Sequence, residues 1–264
     1  MDLGLTDQTV LVTGSTAGIG YAAAKLFAQE GARVFVNGRS QERVDAAVIE
    51  VRGAVPGSRV DGIAADLSTA AGAQRVIEAL PDVDVLVNNA GIFAPAAFEE
   101  ISDAEWLRFF ETNVMSGVRL SRHYFPRMLA RNRGRIIFVS SESALQIPVE
   151  MIHYGTTKTA QLAIARGLAE RTRGTAVTVN CVLPGPTGSE GVSTFVRELA
   201  ASRGVTFDAM EREFFATARP SSLLARFATP TEVANMIVYL ASGAASATNG
   251  ASVRVDGGVV RSIG

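Results

Sequence analysis

Apolar residues along the chain follow two alternating rhythms. Short runs rich in β-branched residues, at 9–13, 33–37, 59–64, 84–87, 134–140, 176–181 and 252–255, read as strands. Between them lie longer stretches with apolar positions at helical spacing, near 18–30, 41–52, 69–79, 103–131, 152–171 and 230–241. Alternation of this kind predicts crossover helices and hence a parallel sheet, because each helix must carry the chain back before the next strand can run the same way. The predicted architecture is α/β, a doubly wound parallel sheet of about seven strands with helices on both faces, forming one domain over 1–264. One region breaks the rhythm. Across 186–225 no strand occurs, and two short amphipathic segments, near 191–202 and 207–217, are bounded by Gly204 and Pro220. An insertion this long is more often functional than ornamental, and it predicts a helical lid that covers a substrate.

Bulk composition narrows the class. Hydrophobic residues make up 47% of the chain, enough for a large core, while a net charge of −1 gives no reason to expect nucleic-acid or membrane-surface partners. The single cysteine, Cys181, excludes an internal disulfide and suits a reducing compartment. No apolar run reaches the ~20 residues that span a bilayer, and the acidic start, Met1 to Asp7, is no signal peptide. A cytoplasmic protein is expected. His123 and His153 are the only histidines and have no accompanying ligand set, so no metal is expected.

Candidate chemistry begins with Tyr154 and Lys158. At i and i+4 on a helix they share one face, where a cation can draw a phenol toward a working pKa. Straight after the first strand comes Thr13-Gly14-Ser15-Thr16-Ala17-Gly18-Ile19-Gly20, a glycine-rich turn opening the first helix. Such a turn lets a diphosphate approach backbone N–H groups at a helix start. It lacks the Gly-Lys-Ser/Thr ending of a triphosphate loop.

With these two motifs read, the chain resembles the short-chain dehydrogenase/reductase family over nearly its whole length. Further motifs agree in order: Asn88-Asn89-Ala90-Gly91 after the fourth strand, Asn113 in the long helix, and Ser141 thirteen residues before Tyr154. Pro184-Gly185 follows the sixth strand, and Val255-Asp256-Gly257-Gly258 lies near the C-terminus. The resemblance implies a Rossmann-like fold and hydride transfer between a nicotinamide and a carbonyl or carbinol carbon. It casts Tyr154 as general acid or base, Lys158 as the residue that lowers its pKa and binds the nicotinamide ribose, and Ser141 as the holder of the substrate oxygen. Asn113 would hold a water linking Lys158 to solvent. The implied cofactor contacts are Gly14, Ser15, Thr16, Gly18, Ile19, Gly20, Asp66, Leu67, Asn89, Ala90, Gly91, Pro184 and Gly185. Tyr154 and Lys158 belong to that set, as does a hydroxyl from Thr187 or Ser189.

The second strand ends in Asn37-Gly38-Arg39, where NAD-preferring relatives usually carry an acid. Arg39 suits a 2′-phosphate, so NADP(H) is favoured, with NAD(H) the alternative; Ala17 stands where many NADP-dependent relatives have a second basic residue. Phe93, Ser143, Gln146 and Met151 are expected to line a substrate pocket, together with Ile147, Pro148 and the lid's Phe195, Phe214 and Phe215. They suggest a mostly apolar carbonyl or alcohol. Glu142, directly after Ser141, reads as a contact for a polar or cationic substrate or, at least as readily, as a rim salt bridge, and His153 reads as a surface or interface residue. Thr248-Asn249-Gly250 departs from the family's Thr-Gly, which puts the packing of that turn in question. The expected activity is NADPH-dependent reduction of a ketone or aldehyde. The alternatives are an NAD-dependent alcohol or polyol dehydrogenase and, from another class, a cofactor-binding regulator with little turnover. By family analogy the helices near 103–131 and 152–171 pair across subunits, implying a homodimer or homotetramer.

Overall fold

Period-two alternation along the strands decides which side chains share a face. In β1 (Thr9–Val12), Val10 and Val12 point to one side and Leu11 to the other, and all three are fully buried. The computed structural model describes residues 2–263, with the side chains of Phe195, Glu198 and Leu199 outside the described part. Its strands are β1, β2 (Arg33–Gly38), β3 (Arg59–Ala64), β4 (Val85–Asn88), β5 (Gly134–Val139), β6 (Val177–Pro184) and β7 (Ser252–Val255). They form one parallel sheet in the order β3-β2-β1-β4-β5-β6-β7. The winding reverses between β1 and β4, the point at which the C-terminal ends of an open α/β sheet leave a ligand crevice.

Helices α1 (Gly18–Gln29), α2 (Gln41–Ala54) and α9 (Pro230–Ala241) cover the Val10/Val12 face. Helices α3 (Ala70–Ala79), α5 (Ser116–Ala130) and α6 (Ile152–Glu170) cover the Leu11 face. Phe27 on the first face and Phe138 on the second are almost wholly buried, each contributing about 1.5–3 kcal/mol of hydrophobic stabilisation. Side-chain caps fix several helix starts, the fullest at α9, where Thr229 and Glu232 bond reciprocally and Pro230 opens the helix.

The sequence predicts one helix over 103–131. The structure instead has α4 (Asp103–Phe110), a π-turn at Glu111–Met115 and then α5. Asn113 lies in this turn, its side chain pulled onto the backbone of Ile92 and onto Thr157. A single wide turn inside a helix is a frequent companion of functional residues.

The excursion before α9 contains α7 (Glu190–Arg203) and α8 (Phe207–Thr217), capped by Ser189 and Thr206. They enclose a small core of their own, with Val196, Ala200, Met210, Phe215 and Phe227 buried against one another. Gly204 ends α7 in the left-handed region. Asn249, the inserted residue, accepts from Val179 N at 2.9 Å and donates to Thr172 Oγ1 at 2.7 Å, tying the turn before β7 to β6 and the end of α6.

Candidate active site

The turns after β1 and β4 meet at the winding reversal. Thr13 Oγ1 accepts from the backbone N–H groups of Asn89 and Ala90, each at 2.9 Å. Asn89 Nδ2 donates to the carbonyls of Thr13 and Gly14, also at 2.9 Å. This closeness is what the glycines permit. Gly14 has φ +58°, and a Cβ there would lie 2.9 Å from Ala90 Cα. A Cβ on Gly20 would come within 2.5 Å of both Asn89 Nδ2 and Gly14 O. Gly20→Ala is therefore expected to push these turns apart and weaken dinucleotide binding about tenfold or more, or about 1.4 kcal/mol, as read by nucleotide fluorescence titration.

Above these turns runs a cleft of about 970 Å³, passing the start of α1, Gly38, Arg39, Asp66 and Leu67. Helix α1 opens at Gly18 without a side-chain cap or an acid in its first turn, so its N–H groups are free to receive an anion. Thr16, Gly18, Ile19, Ala90 and Gly91 line the cleft. Ser15 does not: its hydroxyl turns inward to Val12 O at 2.6 Å and accepts from Asn37 N. At the far end a Cβ on Gly38 would sit 2.5 Å from Cγ2 of Thr16, so a side chain there would require Thr16 to turn aside. Arg39 and Arg43 supply the positive charge there, Arg43 pairing with Glu190 of α7 at 3.0 Å. The length of the cleft, the glycine cradle and the bare helix start fit a nicotinamide dinucleotide.

A second cavity, about 450 Å³, shares Ile19, Asn89, Gly91, Phe93 and Ser189 with the first. Tyr154 and Lys158 enter it from α6, Ser141 from the end of β5, and Pro184, Gly185 and Thr187 from the end of β6. Ser143, Met151 and Phe93 line it too. Lys158 Nζ donates to Val139 O at 2.9 Å and lies 5.6 Å from the centre of the Tyr154 ring. A Cβ on Gly91 would be 3.3 Å from Asn113 Oδ1 and 3.5 Å from Lys158 Nζ, which shows how closely those groups converge. Asn113 lines neither cavity. It braces the loop after β4 against α6, and Gln161 Nε2 donates to its backbone carbonyl at 2.5 Å.

The electrostatics differ from the sequence expectation. Burial holds the Tyr154 phenol above its ordinary value, the Glu142 carboxylate pushes the same way, and Ser141 and Arg219 pull only partly back. The Lys158 ammonium lies 5.6 Å from the ring centre and donates to Val139 O. Burial also brings Lys158 down to about 8 and pushes Cys181 up to about 12.

Three further expectations are corrected. Gln146 is exposed and outside the cavity lining, because the short turn at Glu142–Ala144 directs the chain outward before Pro148. His153 is fully buried, its ring 4.1 Å from that of Phe109 and 6.0 Å from that of Trp106, because α4 packs over the start of α6. Burial lowers its pKa. Glu142 is buried inside the second cavity: it accepts from Ser141 Oγ at 2.5 Å and faces Arg219 Nε at 3.5 Å. Among the lid phenylalanines Phe214 lines the cavity and Phe215 packs the lid's own core, while the side chain of Phe195 lies outside the described residues. Sequence reasoning missed Arg43, Glu150 and Arg219, which bear no motif and are recruited by tertiary packing.

Comparisons with known proteins show the family. The family described as short chain dehydrogenase matches residues 8–199. An uncharacterized oxidoreductase of Bacillus subtilis, YvrD, is 50% identical over 100% of both chains. The D-beta-hydroxybutyrate dehydrogenase of Cupriavidus necator is 35% identical over 97% of this chain and 99% of that protein. The crystal structure of L-sorbose reductase from Gluconobacter frateurii, complexed with NADPH and L-sorbose, superposes with a TM-score of 0.92 at 32% identity, covering 100% of both chains. A glycine turn at the winding reversal, a tyrosine and lysine one helical turn apart beside it, and likeness of this extent lead to one conclusion: the chain is an oxidoreductase belonging to the short chain dehydrogenase family.

Proposed function

We propose that the protein reduces a ketone or aldehyde with NADPH. The observation that carries this reading is the meeting of Ser141, Tyr154 and Lys158 on a cavity continuous with the dinucleotide cleft. A nicotinamide cofactor, when bound, supplies the hydride. Tyr154 gives its proton to the carbonyl oxygen. Burial keeps the proton on Tyr154 and at the same time makes it a weaker acid, so the direction of reaction rests on the cofactor and not on this shift. Ser141 holds the same oxygen and stabilises the charge that develops on it. Lys158 keeps a positive charge behind the phenol and serves the ribose end of the cofactor. Asn113 fixes the loop that carries Gly91 and Ile92 against α6. Helices α7 and α8 act as the substrate cover over 186–225, with Phe214 and Met210 turned toward the cavity.

Selection of NADPH rests on Gly38 and Arg39. With no acid at the end of β2, Arg39 offers a 2′-phosphate attraction, while Arg43 is shared with Glu190. The L-sorbose reductase crystallised with NADPH supports the same choice. Fluorescence titration is expected to show NADPH binding about tenfold tighter than NADH, about 1.4 kcal/mol, and Arg39→Ala should abolish most of that difference. Equal or tighter NADH binding would overturn the NADPH assignment and put NAD-linked alcohol oxidation first.

A further inference from the structure

The second cavity contains a charged cluster that the transfer of hydride and proton does not require. Arg219, which follows α8, reaches over the cavity and stacks against Phe214, its guanidinium carbon 5.8 Å from the ring centre. It contacts Glu142 at 3.5 Å and Glu150 at 3.2 Å. The Glu142 and Arg219 side chains are 6% and 10% exposed, so this pair is shielded from solvent, whereas Glu150 is 44% exposed at the margin. Among the described residues Arg219 is shared between two carboxylates, so it does not neutralise Glu142 alone. Among the described residues Lys158 is the remaining charged group lining the cavity, and it donates one hydrogen bond to Val139 O while keeping its charge.

Glu142 Oε2 already takes the proton of Ser141 Oγ at 2.5 Å, and Oε1 faces Arg219 at a long 3.5 Å. A carboxylate offers about four lone-pair directions, so Glu142 retains acceptor capacity directed into the cavity. A substrate donor beside the carbonyl group would satisfy it. Two oxygens on adjacent carbons lie about one hydrogen-bond length apart, close to the spacing between Ser141 Oγ and Glu142 Oε2. A hydroxyl that donates to Glu142 also releases the Ser141 proton to turn toward the carbonyl oxygen.

We propose that Glu142, braced by Arg219, selects neutral carbonyl compounds carrying a hydroxyl on the carbon next to the carbonyl, and excludes those carrying a carboxylate there. This inference rests on the reductase reading above. It narrows the substrate class from ketones at large to hydroxyketones and hydroxyaldehydes. Plain ketones offer Glu142 no donor beyond those it already has, and oxoacids bring a second negative charge against it.

The test uses the full-length enzyme with NADPH and three methyl ketones: hydroxyacetone, butanone and pyruvate. They place a hydroxymethyl, an ethyl and a carboxylate group beside the carbonyl. In the parent enzyme kcat/KM for hydroxyacetone should exceed that for butanone by about tenfold or more, with pyruvate the poorest. Glu142→Leu should erase the preference for hydroxyacetone. Glu142→Gln, which keeps an acceptor without the charge, should keep the hydroxyl preference and admit pyruvate. No preference in the parent enzyme, or the same ranking in Glu142→Leu, overturns the proposal. Should Glu142→Leu fail to fold, continued exclusion of pyruvate by Glu142→Gln overturns it instead.

A second arm measures binding of the same ketones to the NADPH complex of Tyr154→Phe, with and without Glu142→Leu. Tighter binding of hydroxyacetone that depends on Glu142, in a protein whose parent form turns nothing over, would sink the reductase reading and leave this inference standing. Turnover with a ranking indifferent to Glu142 would do the reverse. Absence of saturable hydroxyacetone binding overturns the inference outright.

Discussion

Tyr154→Phe is expected to keep the parent affinity for NADPH and to lose carbonyl reduction by about a thousandfold. The change deletes one hydroxyl and leaves the ring in place, including its edge contact with Phe93 at a centroid distance of 6.4 Å. The neighbouring donors already have partners of their own. Ser141 has its proton directed to Glu142 at 2.5 Å, and the Lys158 ammonium is committed to Val139 O at 2.9 Å. His153 is adjacent in sequence but lies on the other side of the helix, wedged between Phe109 and Trp106. Steady-state kinetics with NADPH, together with a fluorescence titration of the same sample, check the outcome. Turnover within about threefold of the parent would remove Tyr154 from the proton path. Unchanged biological effect in a protein with no turnover would favour a cofactor-binding regulator.

What the sequence disclosed follows from how local its causes are. The strands came from period-two apolar runs that the sheet buries on both faces, and Val10, Leu11 and Val12 are fully buried as that pattern requires. The glycine turn was legible because Gly14 and Gly20 have no substitute where two backbones approach this closely. Tyr154 and Lys158 were legible because a helix fixes their relation. The π-turn at Glu111–Met115 left no such trace: it forms because Asn113 bonds to Ile92 and Thr157, partners distant in sequence. The burial of His153 was set by the packing of α4, and the apolar flank of α4 reads equally well as surface or core. Glu142 looked like a rim residue because its partner, Arg219, comes from the far end of the insertion, and nothing near Glu142 in sequence signals a guanidinium. The Glu142–Arg219 contact and the packing around His153 are long-range, and so they needed the fold.

Lys158→Met is expected to move activity and stability in opposite directions. Activity should fall by about a hundredfold or more, since the site loses both the positive charge behind the phenol and its ribose partner. Stability follows from linkage. Burial lowers Lys158 from 10.5 to about 8, so the folded chain releases this proton at a pH where the unfolded chain still holds it. Between those values the unfolded state binds more protons, and the Lys158 contribution to stability rises with pH across the window. Below about 8 the penalty for burying the ammonium is complete, on the order of 3 kcal/mol. Methionine removes it but leaves Val139 O without its donor, a loss of about 1–3 kcal/mol. A small net gain at neutral pH should remain, about 2–4 °C in Tm for each kcal/mol. The sharper readout is the pH dependence of unfolding in the parent minus that in the variant. Cys181, raised to about 12 from 9.0, acts with the opposite sign above its ordinary value, because there the unfolded chain loses the thiol proton first. Taking the difference between the two proteins removes that background to the extent that the thiol and the amine do not interact. A positive slope confined to the range between about 8 and 10.5 would show that the ammonium is buried at a cost to the fold. Parallel curves would show that Lys158 reaches solvent, and the conflict between stability and chemistry at this residue would disappear with it.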